Sequence, residues 1–152
     1  MVDTDIGRFT VGVFQDAAWA AKGLEALAKA GFTADSLSIV AKDSPEAAAL
    51  IERTLGARAD RLELPGTGVV LARGAILDVL QGPSGDLPRL GLAGTMRRVG
   101  FQAHDGRIFE LLTARGGVLV AARSEPRAAD ALTILHNYGG GNAAIGAWLG
   151  RV

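Results

Sequence analysis

The chain has 152 residues, of which 49% are hydrophobic and 21% charged, with 16 basic and 16 acidic side chains and no cysteine. At roughly 150 residues per domain this is one domain spanning 1–152. The missing cysteines exclude a disulfide frame, a thiol nucleophile, an iron–sulfur cluster and a Cys-type zinc site, and the balanced charge argues against non-specific nucleic-acid binding.

Residues 1–5, Met-Val-Asp-Thr-Asp, are acidic and polar. They lack the basic and apolar regions of a signal peptide, and no apolar run reaches the ~18 residues of a membrane span, so a cytoplasmic location is expected. Phe9, Val11 and Val13 share one face of a strand over 9–14, with Phe14 on the other. Asp16 stands where an N-cap belongs, and the stripe Ala20, Leu24, Leu27 and Ala28 predicts a helix over 17–30, closed by Gly31. A second strand follows over 36–42, with Leu37 and Ile39 on one face. Residues 8–42 therefore read as one β-α-β half.

The middle, 43–116, reads as a helical insertion. Asp43 or Ser44 caps a helix that starts at Pro45 and ends at Gly56. Leu62 and Leu64 suit a short extended piece. Pro65 then opens a helical hairpin, with Val69, Val70, Ile76, Leu77 and Leu80 on its first arm and Leu90, Leu92, Met96 and Val99 on its second. The turn between the arms is the breaker cluster Gly82-Pro83-Ser84-Gly85-Asp86. A further helix is expected over 103–114. Residues 117–148 repeat the first plan. Gly117–Ala122 is a strand of continuous apolar type, Ser124 the N-cap, 126–138 a helix and 143–148 the last strand. In register, Asp16 falls on Ser124, Leu24 on Leu132, Leu27 on Leu135 and Gly31 on Gly139. Two such halves are the build of a ferredoxin-like α/β sandwich: a four-stranded, mostly antiparallel sheet with helices 17–30 and 126–138 on one face and the insertion packed beside it.

Val11-Gly12-Val13-Phe14, Leu24-x-x-Leu27 before Gly31-Phe32, Leu37-Ser38-Ile39-Val40-Ala41, Pro65-Gly66-Thr67-Gly68, Gly100-Phe101 and Arg115-Gly116-Gly117-Val118-Leu119-Val120 occur in this order. Over residues 8–148 the layout resembles the heat-induced, general-stress protein family of bacteria, in which a ferredoxin-like frame is split by a small-residue helical insertion. The resemblance implies a cytoplasmic stress-response protein. It brings no catalytic residue and no cofactor. Homologous insertions tend to be nearly pure Gly/Ala. Here Arg73, Asp78, Arg89, Arg97 and Arg98 interrupt the run, which argues against membrane contact.

Few residues suggest chemistry. His104-Asp105 with Glu110 one to two turns on is the nearest approach to a metal or acid–base set. Only two histidines exist, and His136 lies on another helix, so a polar first turn explains the pair better. Gly66-Thr67-Gly68 resembles a phosphate cradle only faintly, since it lacks the remaining residues of a P-loop or dinucleotide fingerprint, and Gly139-Gly140-Gly141 suits a C-cap. No enzyme activity, metal or cofactor is expected.

Contact surfaces are the stronger expectation. No charged residue occurs between Asn142 and Gly150, and Trp148 adds a large apolar group there. Trp19, on the first helix, is an anchor or a core residue. Gly91, Ala93 and Gly94 offer a small-residue face for close helix contact. Residues 64–116 carry six basic and four acidic groups against seven and ten over 1–63, a contrast that either steers association or is an ordinary solvated face. A homodimer or higher closed oligomer is expected, with Ile145, Trp148, Leu149, Gly91 and Gly94 as interface residues. Protein contacts, with the second copy and with an unidentified partner, are the expected mode of action. The alternative is a small-ligand sensor with its site between the sheet and the inserted helices.

Overall fold

The computed structural model describes residues 9–82, 85–99, 101, 103–123, 128–139 and 145–148. The elements in chain order are β1 (Phe9–Phe14), α1 (Ala17–Lys29), a 3-10 turn (Ala34–Ser36), β2 (Leu37–Lys42), α2 (Pro45–Leu55), β3 (Asp60–Leu64), β4 (Gly68–Gly74), α3 (Ala75–Gln81), α4 (Asp86–Val99), α5 (Ala103–Ala114), β5 (Val118–Arg123), α6 (Ala128–Gly139) and β6 (Ile145–Trp148). They form a mixed α/β fold around one sheet in the order β3-β4-β2-β5-β1-β6, with every neighbouring pair antiparallel.

Alternation along the strands divides the core in two. Phe9, Val11 and Val13 of β1, Val40 of β2, Val70 and Ala72 of β4, and Leu119 and Ala121 of β5 bury into one cluster with α3, α4 and α5. Phe14, Leu37, Ile39, Ala41, Leu71, Val118, Val120 and Ala122 bury into the other with α1, α2 and α6. Each face of the sheet is covered by a helical layer. This explains why β1 is buried along its whole length and β5 everywhere except Arg123.

Two expectations are corrected. The sheet has six strands rather than four, and the insertion is not wholly helical. Residues 68–74, read as a helix arm, are strand β4, which pairs with β3 and with β2. A continuous apolar run such as Val69-Val70-Leu71-Ala72 carries no period that separates helix from strand. Pro65-Gly66, with Gly66 at φ 80 and Thr67 N–H donating to Leu64 O at 3.2 Å, is the tight turn that joins the two strands. The helix after β4 is consequently only Ala75–Gln81. Helix α2 leaves the rest of the insertion and joins α1 and α6 on the opposite face. The anticipated Ser124 cap, Pro126, Gly140-Gly141 and Pro83-Ser84 of the 82–86 turn lie outside the described residues.

The layer of α1 and α2 is closed by its own sequence. The Asp16 carboxylate accepts from Trp19 N–H at 2.9 Å and the Ser44 hydroxyl from Ala47 N–H at 3.0 Å. The α3–α5 layer is closed by groups distant in sequence. The buried Ser38 hydroxyl of β2 accepts from Ile76 N–H of α3 at 3.0 Å. Arg98 of α4 donates to Leu80 O of α3 at 2.8 Å, and its Nε lies 3.0 Å from the buried Asp86 carboxylate, which also pairs with Arg89.

Candidate functional site

The residues with the best claim to chemistry do not converge. His104 Nδ1 lies 3.7 Å from Asp105 Oδ1, with the side chains 75% and 40% exposed. Glu110 points elsewhere. Its Oε1 accepts from Ala93 N–H at 3.1 Å, across to α4. That helix is interrupted at Gly91, where φ 78 and ψ 179 break the helical path. The Glu110 carboxylate therefore caps the helix that restarts after the break, a position where negative charge and an acceptor are both favourable. Among the described residues no group of three His, Cys, Asp or Glu side chains stands close enough to hold a metal ion. The side chain of His136 is outside the described residues.

Gly66-Thr67-Gly68 is the tip of the β3–β4 hairpin. A Cβ on Gly66 would meet Glu110 Oε2 at 2.6 Å, so a carboxylate occupies the space a phosphate would need. Thr67 is buried, and its hydroxyl has no protein partner among the described residues. Three shallow clefts lie at the rim of the fold. One, of ≈ 390 Å³, is lined by the first residues of α1 and α2 with Lys42 and Val118. The amides there are met by Asp16 and Ser44, and the carboxylates of Asp16 and Glu46 oppose an anion. A second, of ≈ 450 Å³, runs between α1 and α2. A third, of ≈ 410 Å³, gathers Asp35, Asp60 and Asp78 around Arg73. The space between the sheet and the inserted helices, where a sensor would hold its ligand, is filled by Phe9, Val11, Leu92, Met96, Phe101 and Phe109.

The expected contact residues divide. Gly91 is buried: a Cβ there would stand 2.9 Å from Pro65 O and 3.2 Å from Glu110 Oε1. Gly94 is half-buried beside Leu90. Trp19 is half-buried against the α1–α2–α6 cluster, with the Lys22 ammonium 4.7 Å from its ring centroid. Ile145 and Trp148 begin and end β6, at an edge of the sheet, in register opposite Gly12 and Phe9. Leu149 lies outside the described residues. The opposite edge is β3, Asp60-Arg61-Leu62-Glu63-Leu64, whose three charged residues are exposed. Leu90, read from the sequence as part of the second hairpin arm, and Leu111 of α5 are surface-exposed, at 39% and 48%. The available signal was the doublet Leu111-Leu112, of which one helix face takes only one member.

No described helix is long and apolar enough to cross a membrane. Comparison with known proteins finds no matching family model, no matching curated protein and no matching solved structure.

Proposed function

We propose that the chain is a non-enzymatic stress-response protein of the cytoplasm that acts through protein contacts, the first of them with a second copy of itself along β6. The observation that carries this reading is the unlike character of the two sheet edges. An open edge is a row of unpaired N–H and C=O groups, and charge is a common means of blunting it. The β3 edge carries Asp60, Arg61 and Glu63, whereas β6 is Ile-Gly-Ala-Trp within a stretch free of charge from Asn142 to Gly150. Antiparallel pairing of β6 with β6 of a second copy, about a two-fold axis, continues the sheet and covers both edges at once.

The strand order supports the family reading. Within the six strands, β2-β5-β1-β6 interleaves the two β-α-β halves, with one strand of each half at the centre. A split, ferredoxin-like frame would interleave its two halves in this way, with the β3–β4 hairpin then an addition beside β2. Stress induction is tested by following the protein's abundance after a heat or osmotic shock. A level that stays flat through both removes the stress assignment.

Light scattering tests the contact. The expected mass is twice the 15.7 kDa of the chain, returning to 15.7 kDa in Trp148→Glu. A single-chain mass across micromolar concentrations overturns the self-association, and a dimer that survives Trp148→Glu moves the interface away from β6.

A further inference from the structure

The outer surface of α4 and α5 lies apart from β6 and carries unused apolar and basic groups. Gly91 and Ala93 of α4 meet Glu110 of α5, while Ala93 and Met96 meet Gly106. Advancing along α4 therefore means retreating along α5, so the two helices are antiparallel. Leu90 and Leu111 adjoin in sequence the contacting pair Gly91 and Glu110, one on each helix. They are also the two large hydrophobic side chains exposed among the described residues, at 39% and 48%. One turn along α4, Ala93 and Gly94 are half-buried: Ala93 meets Gly106 of α5, and Leu90 lies against Gly94.

Charge completes the patch. From Asp86 to Arg115 the sequence holds Arg89, Arg97, Arg98, Arg107 and Arg115 against Asp86, Asp105 and Glu110. The near balance is misleading in space. Asp86 is buried and paired with Arg89 and Arg98, and Glu110 is engaged by the α4 backbone. Exposed Arg97, Arg107 and Arg115 form no ion pair among the described residues. The two helices thus present exposed Leu90 and Leu111 together with exposed Arg97 and Arg107, and Arg115 follows directly after α5.

We infer that this face binds an acidic amphipathic helix of a partner protein. Two exposed leucines on adjacent helices suit apolar side chains one helical turn apart on a docked helix. The unpaired arginines call for carboxylates beside those anchors, and they bind them in a forked geometry. Nucleic acid fits less well, because Phe101 and Phe109 of this region are buried against one another rather than offered for stacking.

The test uses the full chain and a fluorescent synthetic helix with leucines at i and i+4 and glutamates on the flanking positions. Saturable micromolar binding is expected, weakening as salt screens the arginines. Leu111→Asp and, separately, Leu90→Ser should each reduce affinity about tenfold or more. Both positions are exposed, so circular dichroism should show an unchanged fold. Arg97→Glu with Arg107→Glu should weaken binding and flatten its salt dependence. Trp148→Glu should leave it unchanged, which separates this site from β6. The inference is overturned by absence of binding, or by equal binding of a peptide with scrambled leucine spacing. It is also overturned if the leucine variants abolish binding to DNA duplex, to anionic phospholipid vesicles or to a second copy instead.

Discussion

The two helical layers that sandwich the sheet bury similar kinds of side chain, yet they are held in different ways. On the α1–α2–α6 face, α1 and α2 begin at a cap three residues away, Asp16 for Trp19 and Ser44 for Ala47. On the α3–α4–α5 face groups distant in sequence close the two ends of α3 and the restart of α4: α3 begins on Ser38 of β2 and ends on Arg98 of α4, and α4 restarts on Glu110 of α5. A locally capped helix keeps its ends when a neighbour shifts. In a reciprocally capped layer, loss of one group exposes backbone polar groups on another helix, so the layer gains or loses order as a unit.

The largest break in this contrast is expected from Gly91→Ala. The substitution places a side chain at φ 78 and 2.9 Å from Pro65 O, where it cannot move without lifting the β3–β4 turn. A loss of about 2–4 kcal/mol is expected in urea unfolding. Hydrogen exchange should accelerate in α4 and α5 together while α1 stays protected; uniform acceleration in both layers would remove the distinction.

Asp86→Ala comes next, at about 2 kcal/mol. Removing one member of a buried pair usually costs more, but Arg89 and Arg98 are 63% and 37% exposed and recover water. A change under about 0.5 kcal/mol would show that Asp86 does not hold Arg98 in place against α3.

Glu110→Ala and Ser44→Ala sharpen the comparison because each deletes one cap, at about 1 kcal/mol. Their reach should differ. The first should loosen α4, the helix whose break it closes, and α5, which carries it; the second should loosen α2 alone. Glu110→Gln keeps the acceptor and should cost only a few tenths of that, as read by the same exchange experiment.

The smallest effect is a titration at Asp35, before β2. A hydrogen bond from the Thr33 side chain, and then one from its own backbone N–H, hold its carboxyl below the usual range. A depressed carboxylate favours the folded state above its unfolded pKa, and that contribution disappears as pH falls through the folded value. Thr33→Val should raise the Asp35 midpoint in a carboxyl carbon NMR titration. An unmoved midpoint would assign the shift to the backbone.

Legibility from sequence followed the same divide. Strands β1, β2 and β5, helices α1 and α2 and their caps were readable because each signal lies within a few residues: alternation at Phe9, Val11 and Val13, Asp16 before Ala17, Ser44-Pro45 before the α2 stripe. The edge position of β6 and its lack of charge were also readable. Strand β4 was not, although Pro65-Gly66 before the β-branched Val69-Val70 was a usable hairpin sign. Glu110 looked like a chemical group because its partner, Ala93 N–H, is seventeen residues away and belongs to a helix break invisible in the sequence.

Composition and periodicity determined that this chain forms a mixed α/β fold without cysteine chemistry, because burial of alternating and helical apolar patterns is a local demand that a single sequence states outright. Tertiary structure alone decided which leucines stay in water, which glycines are spent inside and where charge accumulates. Leu90 and Leu111 match their buried neighbours in kind, and Gly91 and Gly94 are three residues apart. Only the packing of α4 with α5 and α3 buries Gly91 and Asp86 and engages Glu110 while Leu90, Leu111, Arg97 and Arg107 stay exposed.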